Sequence, residues 1–341
     1  MKSLSNFTLE ELENLALELE EPKFRAKQLH NWIWTKSAQN FDEMTDLSKN
    51  FKEKLQQIAV VTNVKIKTKQ VSSDGTIKYL LEYEDGECVE TVLMRFDNRS
   101  NLTACVSSQV GCACGCDFCA TGKRGFIRNL TAFEIANQIL TIQRDSKLKV
   151  TNVVFMGQGE PLNNFENLNL AIKIINDYLQ IGIRRITVST CGIIPKIYDL
   201  TKQSLIPTLA LSLHAPNHSL REKIMPIEKK HNLDELKKAL KFFNDKTGDR
   251  ITIEYVLLGN LNDTREMAFE LAKFLKDIKC NINLIPYNSV DETKYKKPDK
   301  KNVMMFKYIL EGSGKKVTVR LERGADIDAA CGQLRGKVVN N

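Results

Sequence analysis

At 341 residues the chain can bury a sizeable core and hold more than one domain. Its 42% hydrophobic and 27% charged residues describe a soluble globular protein, no run approaches the ~18 apolar residues of a membrane span, and no secretory leader is expected. That argues against a disulfide-stapled secreted fold and makes the cytoplasm the expected location, while a formal charge of +8 is compatible with an RNA partner without requiring one.

Thr8 and Glu11 stand as a capping box before a leucine repeat, which predicts an amphipathic helix over residues 8–19. Phe24, Leu29, Ile33, Trp34, Phe41, Met44, Leu47, Phe51 and Leu55 extend the pattern, so residues 1–60 read as a small helical domain. Residues 64–70, 77–83 and 88–96 are rich in β-formers and separated by Asp74-Gly75 and Asp85-Gly86. They predict a three-stranded β-meander acting as a connector over 61–98.

From Leu102 onward strand-like and helix-like stretches alternate. Strands are expected at 102–110, 151–157, 184–190, 207–214, 250–258 and 281–286, with helices at 131–144, 166–180, 194–203, 232–245, 264–278 and 303–312. Six β/α units make the fold class α/β, with a partial (β/α)6 TIM-type barrel over 99–322 and a C-terminal segment over 323–341. Ligands of such sheets sit at the carboxyl ends of the strands. Those ends hold a cysteine-rich loop, Gly159 and Glu160, Ser189, Ser212-Leu213-His214 and Asn288. Gly159 lets backbone approach a ligand, Glu160 can accept from an amino group, and the Ser, His and Asn side chains suit carboxylates and ribose hydroxyls.

The loop carries Cys112-x3-Cys116-x2-Cys119, with Cys114 between the first two. Three thiolates on a [4Fe-4S] cluster leave one iron open to a chelating molecule. A closed zinc site using all four cysteines is the alternative, although zinc ligands usually come as two separated pairs. The spacing is similar to the signature of the radical S-adenosylmethionine (SAM) superfamily. That resemblance implies SAM on the open iron and a 5'-deoxyadenosyl radical as the reactive species.

Beyond the strands, Arg323-Gly-Ala-Asp-Ile-Asp-Ala-Ala-Cys331-Gly-Gln carries a solitary cysteine among small residues, a setting that suits a reactive thiol. With Phe24-Arg25-Ala26-Lys27-Gln28-Leu29, Glu90-Thr91-Val92, the run from Cys105 to Cys112, Gly157-Gln-Gly-Glu-Pro161, Leu211-Ser-Leu-His-Ala-Pro216 and Asp328-Ala-Ala-Cys-Gly-Gln333, the chain resembles the RlmN family of bacterial dual-specificity RNA methyltransferases almost end to end. Cfr is a more distant relative.

The resemblance implies methylation of C2 of an adenine in 23S rRNA and in tRNA, with two SAM consumed per product. Cys331 would take the methyl group by displacement, Cys105 would resolve the covalent adduct as a disulfide with Cys331, and Glu90 would accept the proton. Cys112, Cys116 and Cys119 would hold the cluster, and Gly159, Glu160, Ser189, Ser212, Leu213, His214 and Asn288 would bind SAM. An external electron donor such as flavodoxin or ferredoxin, a monomeric state and no membrane partner complete the expectation. Departures from the family pattern are Cys114, Gln158 where methionine is frequent, and a slightly longer stretch between Glu90 and Cys105.

Phosphate contacts are expected from Lys123, Arg124, Arg128, Arg184, Arg185, Lys294, Lys296, Lys297, Lys300 and Lys301. The target base must leave its stack to be reached. Cys88, Cys191 and Cys280 read as small buried hydrophobes, with Cys191 nearest the mouth. C8 methylation, as in Cfr, and a zinc-stabilised RNA-binding protein without catalysis are the competing readings.

Overall fold

The computed structural model describes residues 1–95, 101–288, 294–320 and 323–327, so Cys331 lies outside the described residues. The chain opens with three helices, α1 (Leu9–Glu18), α2 (Phe24–Trp34) and α3 (Lys49–Ile58), and a parallel pairing of β1 (Lys2–Ser3) with β2 (Ala59–Val60). Both halves of the capping box form at α1: the Thr8 hydroxyl accepts from Glu11 N–H at 3.2 Å, and the Glu11 carboxylate accepts from Thr8 N–H at 2.7 Å. Leu12, Leu29, Ile33, Trp34, Phe51 and Leu55 are buried between these helices and the rest of the chain.

The meander follows as β3 (Lys65–Val71), β4 (Ile77–Glu82) and β5 (Cys88–Arg95). Its two turns place Gly75 and Gly86 at φ +79° and +83°, a region in which a Cβ is strained. β5 then pairs antiparallel with β6 (Leu102–Cys105), and β6 pairs parallel with β9 (Asn152–Phe155). Between them a hairpin of β7 (Gln109–Gly111) and β8 (Phe126–Asn129) frames the short helix α4 (Ala120–Arg124), followed by α5 (Ala132–Ser146).

Regular alternation carries the chain through α6 (Phe165–Asp177), β10 (Ile186–Thr190), α7 (Ile194–Leu200), β11 (Thr208–Ser212), α8 (His218–Ile224), α9 (Leu233–Thr247), β12 (Ile251–Leu257), α10 (Arg265–Phe274), β13 (Cys280–Pro286), α11 (Lys300–Gly312) and β14 (Lys316–Val319). All form one ten-stranded sheet in the order β14-β13-β12-β11-β10-β9-β6-β5-β4-β3, with β6 and β9 to β14 parallel. The α/β fold with six β/α units is as expected from the pattern. A seventh parallel strand, β14, was not expected; it is four residues long and half of it is exposed, which hides the apolar signal of a buried parallel strand. The predicted strand over 102–110 is two pieces, because the backbone leaves the sheet after Cys105.

The sheet is open between β14 and β3 among the described residues, yet its two ends are tied by a short segment after β14. Asp326 accepts from the Ser72 hydroxyl at 2.6 Å and from Ser73 N–H at 3.0 Å, and Gly324 N–H donates to Asp74 at 3.0 Å. No helix among the described residues is long and apolar enough to cross a membrane.

Gln138 on α5 locks the joint between meander and parallel sheet. Its amide oxygen accepts from the Thr91 hydroxyl and Ser107 N–H, and its nitrogen donates to Ser107 C=O, all at 2.8 Å in a fully buried setting. Gln138→Ala strands three buried polar groups and is expected to cost about 2–4 kcal/mol in denaturant unfolding.

Candidate active site

A cavity of about 930 Å³, counted with its solvent-open mouth, lies at the carboxyl ends of the parallel strands. Cys112, Cys116 and Cys119, all half-buried, line it together with Gly159, Glu160, Ser189, Ser212 and His214. The cysteine loop is held by Cys112 N–H to Gly125 C=O at 2.9 Å, Asp117 N–H to Ile224 C=O at 3.0 Å and Cys119 N–H to Cys116 C=O at 3.1 Å. Gly111, at φ +74°, has no room for a Cβ, which would overlap the Gly125 carbonyl.

The donor set fits an iron-sulfur cluster better than a single zinc. The three sulfurs do not all fall within 4.8 Å of one another, whereas thiolates sharing one zinc at ~2.3 Å must crowd closer. Burial, followed by the neighbouring Cys119 and Cys112, pushes the Cys116 thiol well above its ordinary value, and burial also raises that of Cys119. Thiolates that destabilise one another in this way are stabilised by a metal centre that takes them as ligands. Cys114 instead meets Cys191, Sγ to Sγ at 3.4 Å, with Glu160 beside both.

Glu160 is buried and its carboxylate accepts from Cys191 N–H at 2.7 Å and Leu162 N–H at 3.0 Å. Burial raises its pKa, opposed chiefly by the Cys191 hydrogen bond. A carboxylate has about four acceptor sites, so Glu160 can brace the end of β10 and still receive an ammonium group from the cavity. Gly159 sits at φ +99°, where a Cβ would lie 2.6 Å from that of Gln109.

Ser189 and Ser212 face each other at 3.2 Å across β10 and β11. His214, at φ +58°, accepts Val256 N–H on Nδ1 at 3.0 Å, which puts its proton on Nε2. Burial, then the charge of Arg221, lowers His214 to about 3. Leu213 and Asn288 do not line the cavity: Leu213 is buried and its carbonyl accepts from Arg221 Nε at 3.3 Å, and the Asn288 oxygen is buried without a hydrogen-bond partner.

Several charged groups escaped the sequence reading. Arg221 is fully buried and donates to Glu228 and to the Cys191 carbonyl, both at 2.6 Å, thereby tying the ends of β10 and β11. Glu254, from β12, lines the cavity with one oxygen on the Asn283 amide at 2.9 Å and Arg320 at 3.7 Å from the other. A glutamate inside the apolar run Ile251-Thr-Ile-Glu-Tyr-Val-Leu257 was a visible signal; nothing in the sequence marks Arg221.

Glu90 and Cys105 share one face of the sheet. Val92 pairs directly with Cys105, and Glu90 lies two residues from Val92, which puts Glu90 and Cys105 at diagonal positions ~7–8 Å apart by ladder geometry. Glu90 is buried and its carboxylate lies 3.3 Å from the equally buried Lys78 ammonium. Val92, Met94 and Cys105 pack with Val154 and Met156, and Met156 also lines the cavity, so this face runs on from the cysteine loop.

Of the expected phosphate contacts, Arg128 is engaged by Glu134 and Asp85, Arg124 by Glu87 and Lys294 by Asp117, while Arg184, Arg185, Lys296, Lys300 and Lys301 are exposed. Cys88, Cys191 and Cys280 are buried as expected.

The model of the radical SAM superfamily matches residues 106–275, and that of the ribosomal RNA large subunit methyltransferase N-terminal domain matches residues 2–61. The probable dual-specificity RNA methyltransferase RlmN of Thermoanaerobacter sp. (strain X514) is 48% identical over 99% of this chain and 98% of that protein. Its counterpart from Clostridium novyi (strain NT) is 46% identical over the full length of both. The crystal structure of a radical SAM methyltransferase from Sphaerobacter thermophilus superposes with a TM-score of 0.93 at 39% identity, covering 99% of this chain and all of that one.

Because His214 is held neutral when folded but takes a proton below its ordinary value of 6.5 when unfolded, it makes stability fall as pH drops from 6.5 towards 3. Asn tolerates positive φ and can accept the Val256 N–H. His214→Asn is therefore expected to recover about 2 kcal/mol of the stability lost between pH 7.5 and pH 5, read from urea unfolding at the two values.

Proposed function

The chain belongs to the RlmN family of radical SAM methyltransferases, and from that premise we propose that it methylates C2 of adenine 2503 in 23S rRNA and of adenine 37 in tRNA by way of an S-methylcysteine at Cys331. The observation that carries the reading is the continuity of one inner surface, from the three cysteines through Met156 to Cys105 and Glu90. The three cysteines and Met156 line one cavity, and Cys105 packs against Met156 from the strand face it shares with Glu90, which supports the reading.

Cys112, Cys116 and Cys119 would hold a [4Fe-4S] cluster, and Glu160, Ser189, Ser212 and His214 would orient SAM with Gly159 leaving room for it; Leu213 and Asn288, which follow β11 and β13, would complete the SAM contacts. A bound cluster would supply the electron that opens the sulfonium bond of SAM, and the deoxyadenosyl radical so released would take hydrogen from the methyl group on Cys331. Cys331 acquires that methyl beforehand, its thiolate displacing S-adenosylhomocysteine from a first SAM. Neutral His214 offers an N–H rather than a positive charge, which avoids repelling the sulfonium.

The methylene radical left on Cys331 adds to C2; Glu90, whose carboxylate lies 3.3 Å from the Lys78 ammonium, accepts the proton of C2, and one electron returns to the donor chain as the ring regains its aromaticity. Cys105 attacks the Cys331 sulfur, forming the disulfide as the methylated base leaves, and an external reductant reopens it. Asp326, five positions before Cys331 in the sequence, bonds the β3–β4 turn. Residues 1–60 serve as an accessory RNA-binding module joined by the meander to the catalytic barrel and its C-terminal segment. The enzyme works as a cytoplasmic monomer fed by flavodoxin or ferredoxin.

In a strain lacking its own enzyme, the wild-type chain should restore 2-methyladenosine in nucleotide-resolved mass spectrometry of 23S rRNA and tRNA, and Cys331→Ala should restore none. Cys105→Ala should accumulate RNA covalently attached to the protein. Appearance of 8-methyladenosine would overturn the assigned position. Since Cys114 faces Cys191, Cys114→Ala should leave the iron content of anaerobically prepared protein unchanged, and loss of iron would make Cys114 a ligand.

A further inference from the structure

A second cavity, of about 770 Å³ with its open mouth, lies where the helical N-terminus meets the barrel, and it shares no lining residue with the catalytic cavity. The C-terminal ends of α2, α5 and α6 converge on it. Arg144 lines it, is 4% exposed, and donates from Nε to the Ser37 carbonyl at 3.1 Å. Neither of its terminal nitrogens, Nη1 and Nη2, meets an acceptor, nor does the indole N–H of Trp34, which lines the same cavity and is 1% exposed.

An unpartnered buried donor costs about 1–3 kcal/mol, more when charged, and three such donors share this cavity. All of them donate and none accepts, so the missing partner is an acceptor with several oxygens. Charge points the same way. Lys36, Lys147 and Lys149 join Arg144 around the cavity against Glu43 alone. Three helix C-termini contribute roughly half a negative charge each, which leaves the site about one and a half charges positive. Burial lowers Arg144 to about 10, opposed by Glu43, as expected of a guanidinium without a close counterion.

We propose that this cavity is a phosphate-binding site, in which Arg144 and Trp34 hold the oxyanion and Lys147 and Lys149 attract it. The phosphate group could belong to the RNA backbone or to a free small anion; the chemistry of recognition is the same, a guanidinium fork on tetrahedral oxygens. The site is independent of the catalytic assignment, because none of its residues contributes to the cysteine-lined cavity.

The test uses the full-length, cluster-loaded protein, titrated with inorganic phosphate at constant ionic strength against chloride. Saturable stabilisation, read as a rising Tm, is expected for wild type. Arg144→Gln should weaken half-saturation at least tenfold while leaving RNA-independent SAM cleavage intact. If Arg144→Gln fails to fold, Lys149→Glu, at an exposed position, should weaken phosphate several-fold with Arg144 still in place. Saturating phosphate that weakens tRNA binding in wild type, but not in the variant, assigns the site to RNA backbone; unchanged tRNA affinity assigns it to a free anion. No saturable effect in wild type, or equal half-saturation in wild type and variants, overturns the proposal.

Discussion

The double pairing of β6, parallel to β9 on one side and antiparallel to β5 on the other, is the constraint on which the rest of the molecule depends. A strand's side chains alternate between faces, so a strand shared by two sub-sheets forces both to present a common inner surface. Cys105 sits on the last residue of β6, opposite Val92 and next to Val154 and Met156. Through it the antiparallel meander packs against Met156, which lines the cavity that the parallel strands open. A one-residue slip of β5 against β6 would turn Glu90 and Val92 to the opposite face, away from Cys105.

Around that chamber the chain buries an unusual set of charges: Arg221 with Glu228, Glu254 near Arg320, Lys78 with Glu90, and Glu160 on two backbone N–H groups. Desolvating such groups costs several kcal/mol each before pairing, and replacing them with apolar residues would often stabilise the fold. Their return is positional. Arg221 grips the carbonyls of Cys191 and Leu213, which follow β10 and β11, and Glu160 grips Cys191 N–H from the β9 loop. The strand ends that carry Ser189, Ser212 and His214 are thereby held together by hydrogen bonds rather than by packing alone.

Most of the architecture was legible because its signals are local. The Thr8 capping box, the two Asp-Gly turns and the apolar strand periods each involve residues within a few positions of one another. Errors fell where tertiary context rules. β14 escaped because an edge strand need not be apolar, and the predicted strand over 102–110 was broken because Ser107 and Ser108 turn aside to bond Glu90 and Gln158. Leu213 and Asn288, also at strand ends, are not among the residues that line the cavity.

The sequence by itself determined the chemistry that covalent spacing can encode: three cysteines at x3 and x2 on one loop, glycines where backbone must turn, and the period that makes six β/α units. Those features depend on neighbours along the chain, so no fold was needed to read them. Only the tertiary structure decided that Lys78 faces Glu90, that Cys114 turns to Cys191, that Arg221 lies under the rim, and that Arg144 ends in a cavity without an acceptor. The physical reason is common to all four. A buried charge or thiol takes its meaning from surroundings built by residues twelve or more positions away along the chain, and only packing brings them together.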